Sequence, residues 1–114
     1  MDYAEYLPHI DVNDGKARVM NNLTLYKTLL KKFNSHEIAD NLLDAMNKDD
    51  AHKVAQLSHA LRGTAANLSF PALQVVASDI EKLAKSGKDS SHMAEALMDA
   101  VDNLKESIGR LTAS

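Results

Sequence analysis

The stretch Ser58-His59-Ala60-Leu61-Arg62-Gly63-Thr64-Ala65-Ala66-Asn67-Leu68 decides the fold, because it combines a buried helical stripe with a histidine that points away from it. Apolar residues in and just before this stretch recur in steps of three or four, the spacing of one helix face. At about 100° per residue they fall within about 60° of one direction, whereas His59 lies about 140° away. They are Val54, Leu57, Leu61, Ala65 and Leu68. The spacing predicts a helix over residues 50–68 with His59 on its outer side.

The neighbours of His59 predict an accessible imidazole beside a cation. On a helix surface, Arg62 at i+3 and Gly63 at i+4 lie next to it. A glycine inside a helix costs about 1 kcal/mol relative to alanine, which is tolerated where another group must approach the backbone. The guanidinium of Arg62 suits an anion such as a phosphoryl group, and an imidazole nitrogen is a competent nucleophile toward phosphorus. The pattern favours phosphoryl chemistry at His59, with Arg62 and Gly63 as site residues.

The segment His59-Ala60-Leu61-Arg62-Gly63-Thr64-Ala65 resembles the signature of histidine-containing phosphotransfer (HPt) domains, His-x-Leu-Lys/Arg-Gly-Ser/Thr/Ala-Ala. Residues 10–15 and 25–33 look like the first helices of that family, and Ile80-Glu81-Lys82-Leu83 looks like its helix after the site. One departure is Ser69, where many members carry glycine; we expect this serine to cap a helix. The resemblance implies a phosphorelay module in which His59 accepts a phosphoryl group, on Nε2, from a receiver-domain aspartyl phosphate and passes it to another receiver.

The same resemblance implies which components the partners bring. Receiver domains of response regulators, or of a hybrid sensor kinase, supply the aspartate and the Mg²⁺, so we expect no cofactor and no metal on this chain. The sequence has no Walker-type or other glycine-rich nucleotide loop, so we expect a phosphotransfer intermediate without kinase activity of its own. Whether the chain stands alone or is a fragment of a hybrid kinase stays open at this point.

Glu81 is the predicted partner of the His59 ring. No acidic residue lies three or four residues from His59, so a group that fixes its tautomer must come from another helix. The helix after the junction at residues 69–71 should pack antiparallel to the central one, which brings position 81 level with position 59. HPt-like domains often carry Glu or Gln at this place. The alternative is that Glu81 only pairs with Lys85 at i+4.

The other four histidines are expected to be solvated. His9, His36 and His92 stand in no motif. His52 shares the exposed face of the central helix with His59, but about 10 Å separates the two along the axis, too far to hold one metal ion. We therefore expect His52 to lie near a docking surface.

The periodicity along the chain predicts an all-α fold, an antiparallel four-helix bundle with a short extra N-terminal helix. The short helix should follow residues 11–14 and reach about Met20. Residues 23–47 continue one apolar period and can form one long helix, in which Asn34-Ser35 either kinks the helix or caps a restart. The helix after the central one should end at Gly87, and the last should begin near Met93.

The composition bounds the class of protein and its partners. The 114 residues, 45% of them apolar, suffice for a single folded domain over 1–114. A net charge of −3 without a long basic run argues against nucleic acid as a partner. The chain has no cysteine, and no apolar run reaches the length of a membrane span. We expect a cytoplasmic monomer that makes no membrane contact.

Two alternatives belong to other classes of protein. The dimerisation and phosphotransfer helices of a sensor histidine kinase also carry Ser-His-x-Leu-Arg, but typically with an acidic residue directly after the histidine and a proline a few residues later. Here Ala60 and Gly63-Thr64 occupy those places. The second alternative is a non-catalytic helical interaction domain in which His59 is incidental. Incubation with a phosphorylated receiver domain separates the three.

Overall fold

The computed structural model describes residues 3–34 and 37–114, and in these ranges it contains helices and no strand. Short 3-10 helices occupy Ala4–Tyr6 and Ser91–Met93. The α-helices are α1 (Val12–Ala17), α2 (Leu23–Asn34), α3 (Ile38–Asn47), α4 (Ala51–Leu68), α5 (Pro71–Lys85) and α6 (Ala94–Ala113). The all-α prediction is confirmed. In the part of the chain that the structure describes, no helix is long and apolar enough to cross a membrane.

Helices α2 to α6 enclose one core. Helix α3 packs on α4, α4 on α5, α5 on α6, and α6 back on α2 and α3. Their apolar stripes turn inwards, since burying one face of each helix is what stabilises such a fold. The largest side chains that are fully buried include Tyr26, Leu30, Leu42, Leu61, Phe70, Leu73, Ile80, Leu97, Leu104, Ile108 and Leu111. The helices therefore form a bundle, and its strict arrangement as four antiparallel members stays a prediction.

Residues 23–47 form two helices, so the prediction of one long helix is wrong. Helix α2 ends at Asn34 and α3 begins at Ile38, after Glu37 with φ −96° and ψ 11°. Both helices bury their apolar faces in the same core, which is why the apolar period runs on across the break. Ser35 and His36 lie outside the described residues, and with them the predicted cap at Asn34-Ser35 and the predicted exposure of His36.

Three other predicted boundaries can be compared with the structure. Helix α1 ends at Ala17 and not near Met20, because Met20 has a left-handed φ of 60°. Gly87, with φ +69°, follows the end of α5 as predicted, since this conformation suits glycine. Met93 belongs to the 3-10 turn before α6 and not to α6 itself.

The ends of α4 follow from local capping. The carboxylate of Asp50 accepts a hydrogen bond from the backbone N–H of Lys53 at 3.2 Å, which satisfies an unpaired donor of the first turn. At the other end Ser69 adopts a left-handed φ of 63°, the conformation that favours glycine. Ser69 thus ends α4, whereas the first turn of α5 begins with Pro71 and has no side-chain cap. The hydroxyl Oγ of Ser69 donates a hydrogen bond to Oδ2 of Asp14 at 2.5 Å.

The N-terminal part of the chain holds the α4–α5 junction in place. The backbone N–H of Asp11 donates to the carbonyl of Ser69 at 2.9 Å, and the hydroxyl of Tyr26 donates to the carbonyl of Leu68 at 2.5 Å. Carbonyls at a helix C-terminus lack helical partners, so these two bonds satisfy groups that would otherwise be unpaired within the protein. They fix the point at which α4 turns into α5.

We expect Gly15→Ala to destabilise the fold by roughly 1–3 kcal/mol, as overpacking typically does. A Cβ at position 15 would overlap the ring of Tyr26. That ring is 1% exposed and its hydroxyl is bound to Leu68, so it cannot swing aside without losing this bond. Urea unfolding followed by circular dichroism measures the change in the free energy of unfolding.

Gly109→Ala on α6 is the matched control for this prediction. A Cβ there meets nothing within 4 Å, and alanine is the better helix former by about 1 kcal/mol. The control should be as stable as the unsubstituted chain or more so. A Gly15→Ala chain that unfolds no earlier than its control would contradict the prediction.

Candidate functional site

Four side chains that can carry charge meet between α4 and α5. His59 and Arg62 come from α4, Glu81 and Lys85 from α5, and we call them the His59 cluster. The side chains of His59 and Lys85 are each 62% exposed and that of Arg62 is 36% exposed, whereas Glu81 as a residue is only 5% exposed. The cluster is therefore a buried carboxylate beneath three groups that reach solvent.

Each oxygen of Glu81 is occupied. Oε2 lies 2.8 Å from Nδ1 of His59 and 2.9 Å from Nζ of Lys85. Oε1 accepts a hydrogen bond from Nε of Arg62 at 2.7 Å. The carboxylate thus joins α4 to α5, and it meets the requirement that a buried charge be paired and hydrogen-bonded.

The register of the α4–α5 hairpin brings this cluster together. Glu81 lies on the helix that follows the junction, level with His59, as counting back from the junction predicts. Glu81 contacts His59 and also pairs with Lys85, so the alternative in which it pairs with Lys85 alone is wrong. Gly63 lies one turn beyond His59, and a Cβ there would meet nothing within 4 Å, which leaves this flank of the histidine open.

The partners of Glu81 lower the pKa of its carboxyl group from 4.5 to about 2. The hydrogen bond from Lys85 is the largest cause, burial acts in the opposite direction, and the bonds from Arg62 and His59 add to the lowering. Glu81 is therefore ionised at neutral pH and only accepts hydrogen bonds.

The ionised Glu81 decides which nitrogen of His59 carries the proton. A carboxylate cannot donate, so the 2.8 Å contact requires a proton on Nδ1 and leaves the lone pair of the neutral ring on Nε2. Nη2 of Arg62 lies 3.0 Å from the same Nδ1, but a guanidinium only donates, so this contact cannot be a hydrogen bond at the same time. The charge-assisted bond to the carboxylate is the stronger of the two. The ring therefore presents Nε2 as its nucleophilic atom.

A groove of about 750 Å³ runs between α4 and α5 beside the ring. Small side chains form much of its wall, so a partner can approach the two helices closely. The lining residues are Ala51, His52, Ala55, Gln56, His59, Ala84 and Lys85. His52 thus shares a groove with His59. In the described ranges, no three side chains of His, Cys, Asp or Glu gather in a way that could hold a metal ion.

Of the remaining histidines, His92 is exposed as predicted, whereas His9 is half-buried. Nδ1 of His9 is buried and has no hydrogen-bond partner in the described part of the chain. The prediction of a solvated His9 is wrong, because the N-terminal segment folds back onto the α4–α5 junction: the backbone N–H of Ala72 donates to the carbonyl of Pro8 at 3.0 Å.

Lys85 is not among the site residues that the sequence predicts, although it contacts Glu81 and lines the groove. The i+4 spacing from Glu81 predicts the ion pair, but such pairs occur on many helix surfaces. Only the α4–α5 register reveals that Lys85 and His59 reach the same oxygen.

We expect the neutral ring of His59 to carry its proton on Nδ1, which the ¹⁵N chemical shifts of the ring report. In Glu81→Ala the acceptor is gone, and Arg62 can then donate to an unprotonated Nδ1. The tautomer should therefore shift toward protonation on Nε2. His52, seven residues earlier on the same helix, is the internal control. Unchanged ¹⁵N shifts of His59 in Glu81→Ala would contradict this assignment.

Comparison with known proteins gives one family match. A model of the Hpt domain matches residues 32–113, which is most of the chain and includes α3 to α6. No curated protein and no solved structure gives a significant match. His59, Arg62, Gly63 and Glu81 all lie within the matched range. On this match, the chain belongs to the Hpt domain family.

Proposed function

We propose that His59 is the phosphoryl acceptor of this Hpt domain, taking the group from the aspartyl phosphate of one receiver domain and passing it to another. Hpt domains act in histidine phosphotransfer within phosphorelay signalling and interact with receiver domains. The observation that carries the assignment is the bond between Nδ1 of His59 and the buried Glu81, which leaves Nε2 of an exposed ring as the nucleophile.

The bonds formed and broken in the transfer can be written with groups of the Hpt domain and the receiver domain alone. Nε2 of His59 attacks the phosphorus, an N–P bond forms, the P–O bond to the aspartate breaks, and the aspartate leaves as a carboxylate. The ring keeps its proton on Nδ1, so it gains positive charge as the bond forms. Glu81, already ionised and 2.8 Å away, offsets this charge without any rearrangement. Transfer to the second receiver is the same step in reverse.

The other residues of the site have supporting roles in this proposal. Arg62 is held through Nε by Glu81, so its positive charge keeps a fixed place beside the ring, where it favours an incoming phosphoryl group. The receiver supplies the Mg²⁺. Gly63 leaves room for the approach of that receiver.

The groove beside His59 supports docking of a receiver on the α4–α5 face, with His52 inside the contact area. Association would then act mainly by positioning the reacting atoms in line, which is the principal contribution of proteins to phosphoryl transfer. A monomeric state, a cytoplasmic location and the absence of nucleic-acid partners stay predictions.

The alternative of an interaction domain with an incidental His59 fits the cluster less well. A buried carboxylate costs free energy unless it is paired, and replacing such ion pairs by apolar residues is often neutral or stabilising. An incidental histidine needs no buried Glu81 on its Nδ1. The alternative of sensor-kinase dimerisation helices has no support in the family match, which is to the Hpt domain.

We expect His59→Gln to abolish uptake of phosphate from a receiver domain that has been labelled with radioactive acetyl phosphate. Substituting an exposed residue leaves the core intact, so circular dichroism should show the same helicity. His92→Gln, an exposed histidine outside the groove, is the matched control and should still accept the label. Retention of label by the His59→Gln chain would overturn the proposal.

We expect Gly63→Leu to block transfer while leaving the fold intact. Leucine is the better helix former, and the position has open space around it, so the core should be unaffected. The leucine side chain would instead clash with the approaching receiver domain. Gly109→Leu on α6 makes the same change at another open helical position and should transfer normally. A normal transfer rate in Gly63→Leu would show that this glycine does not serve access.

A further inference from the structure

One carboxylate oxygen of Glu81, Oε2, is in contact with two nitrogen atoms. Oε2 lies 2.8 Å from Nδ1 of His59 and 2.9 Å from Nζ of Lys85, while Oε1 is taken by Arg62 at 2.7 Å. Lys85 is the partner that shares a helix with Glu81, one turn further along α5. It also lines the same groove as His59.

We propose that Lys85 is a positioning residue of the phosphotransfer site, which holds Oε2 of Glu81 where that oxygen receives the Nδ1–H of His59. The proposal rests on the proposed function of His59. Lys85 acts through Glu81 and is not itself required to touch the phosphoryl group.

The geometry explains why a second cation is needed. Arg62 binds Oε1 alone, so without Lys85 the other oxygen would be held only by the exposed ring of His59, the group that it orients. The bond from Lys85 to Oε2 fixes the second oxygen and hence the plane of the carboxylate. A fixed plane of the carboxylate favours one orientation of the His59 ring, with Nε2 directed away from Glu81.

The same bond keeps Glu81 ionised. The hydrogen bond from Lys85 is the largest cause of the lowered pKa of Glu81, and burial opposes it. Without Lys85, burial would act against Arg62 and His59 alone, so the pKa of Glu81 must rise from about 2. A protonated Glu81 is a poorer acceptor for Nδ1–H, so on acidification transfer should fail at a higher pH than in the unsubstituted chain.

An ordinary surface ion pair would behave differently. An exposed i,i+4 pair contributes about 0.3–0.5 kcal/mol to stability and is screened by salt. Its loss would change neither the ring signals of His59 nor the pH dependence of transfer. These two readouts therefore separate a positioning role from a merely structural one.

The test compares Lys85→Met, Lys85→Arg and, as the matched control, Lys88→Met, which removes the same charge from an exposed position just after α5. The first measurement uses the unphosphorylated chain: the ¹³C titration of the Glu81 carboxyl and the ¹⁵N shifts of the His59 ring. The second is the rate of phosphoryl uptake from a phosphorylated receiver domain, from about pH 5 to about pH 8.

In Lys85→Met we expect the Glu81 pKa to rise, the Nδ1 proton of His59 to be less firmly held, and uptake to slow by about tenfold, as for loss of a hydrogen bond to a charged group. Lys85→Arg should restore all three properties, because arginine keeps the cation. Lys88→Met should match the unsubstituted chain.

The outcomes distinguish this proposal from the one it rests on. Unmoved Glu81 and His59 signals in Lys85→Met overturn the role of Lys85, even if His59 accepts phosphate normally. A native uptake rate across the whole pH range overturns it as well. Failure of the proposed function appears instead as an unsubstituted chain that takes up no label, and the NMR measurements then still decide whether Lys85 positions Glu81.

Discussion

The buried carboxylate of Glu81 is the interaction on which the site depends. A charge that is 95% removed from solvent is stable only if both of its oxygens are paired, and here the partners come from two helices. Arg62 and His59 reach it from α4 and Lys85 from α5. The contact is possible only at one register of the hairpin, so whatever sets that register also sets the chemistry of His59.

The register is set at the α4–α5 junction. Ser69 ends α4 in a left-handed conformation, and Pro71 starts α5 with a φ already suited to a helix. Between them Phe70 is fully buried, its ring 5.1 Å from that of Phe33 at an angle of 61°. The ring anchors the turn in the core, so the two helices leave it at fixed positions. The hydroxyl of Tyr26 secures the last carbonyl of α4.

Local sequence patterns account for most of the helices and for part of the site. The stripe through α4 predicts its length and the outward direction of His59, and counting back from the junction predicts the contact with Glu81. The apolar period alone does not decide between one helix and two over residues 23–47, because α2 and α3 bury their apolar faces in the same core. The partial burial of His9 depends on contacts between the N-terminal segment and the α4–α5 junction, which is far away in sequence. The sharing of one oxygen by Lys85 and His59 depends on the register of two helices. Patterns within one helix contain neither fact.

The proposed chemistry explains why a charged cluster occupies a place that apolar residues could fill. Apolar side chains of similar volume would stabilise the α4–α5 contact as well or better. They could not, however, offset the positive charge that the ring gains when Nε2 binds phosphorus. With a pKa of about 2, Glu81 supplies its charge throughout the physiological range. Because the carboxylate is already in place, no reorganisation is needed when the partner arrives. In the proposed chemistry the exposed side of the ring takes the phosphoryl group, and the buried side faces the negative charge that stabilises the phosphorylated ring.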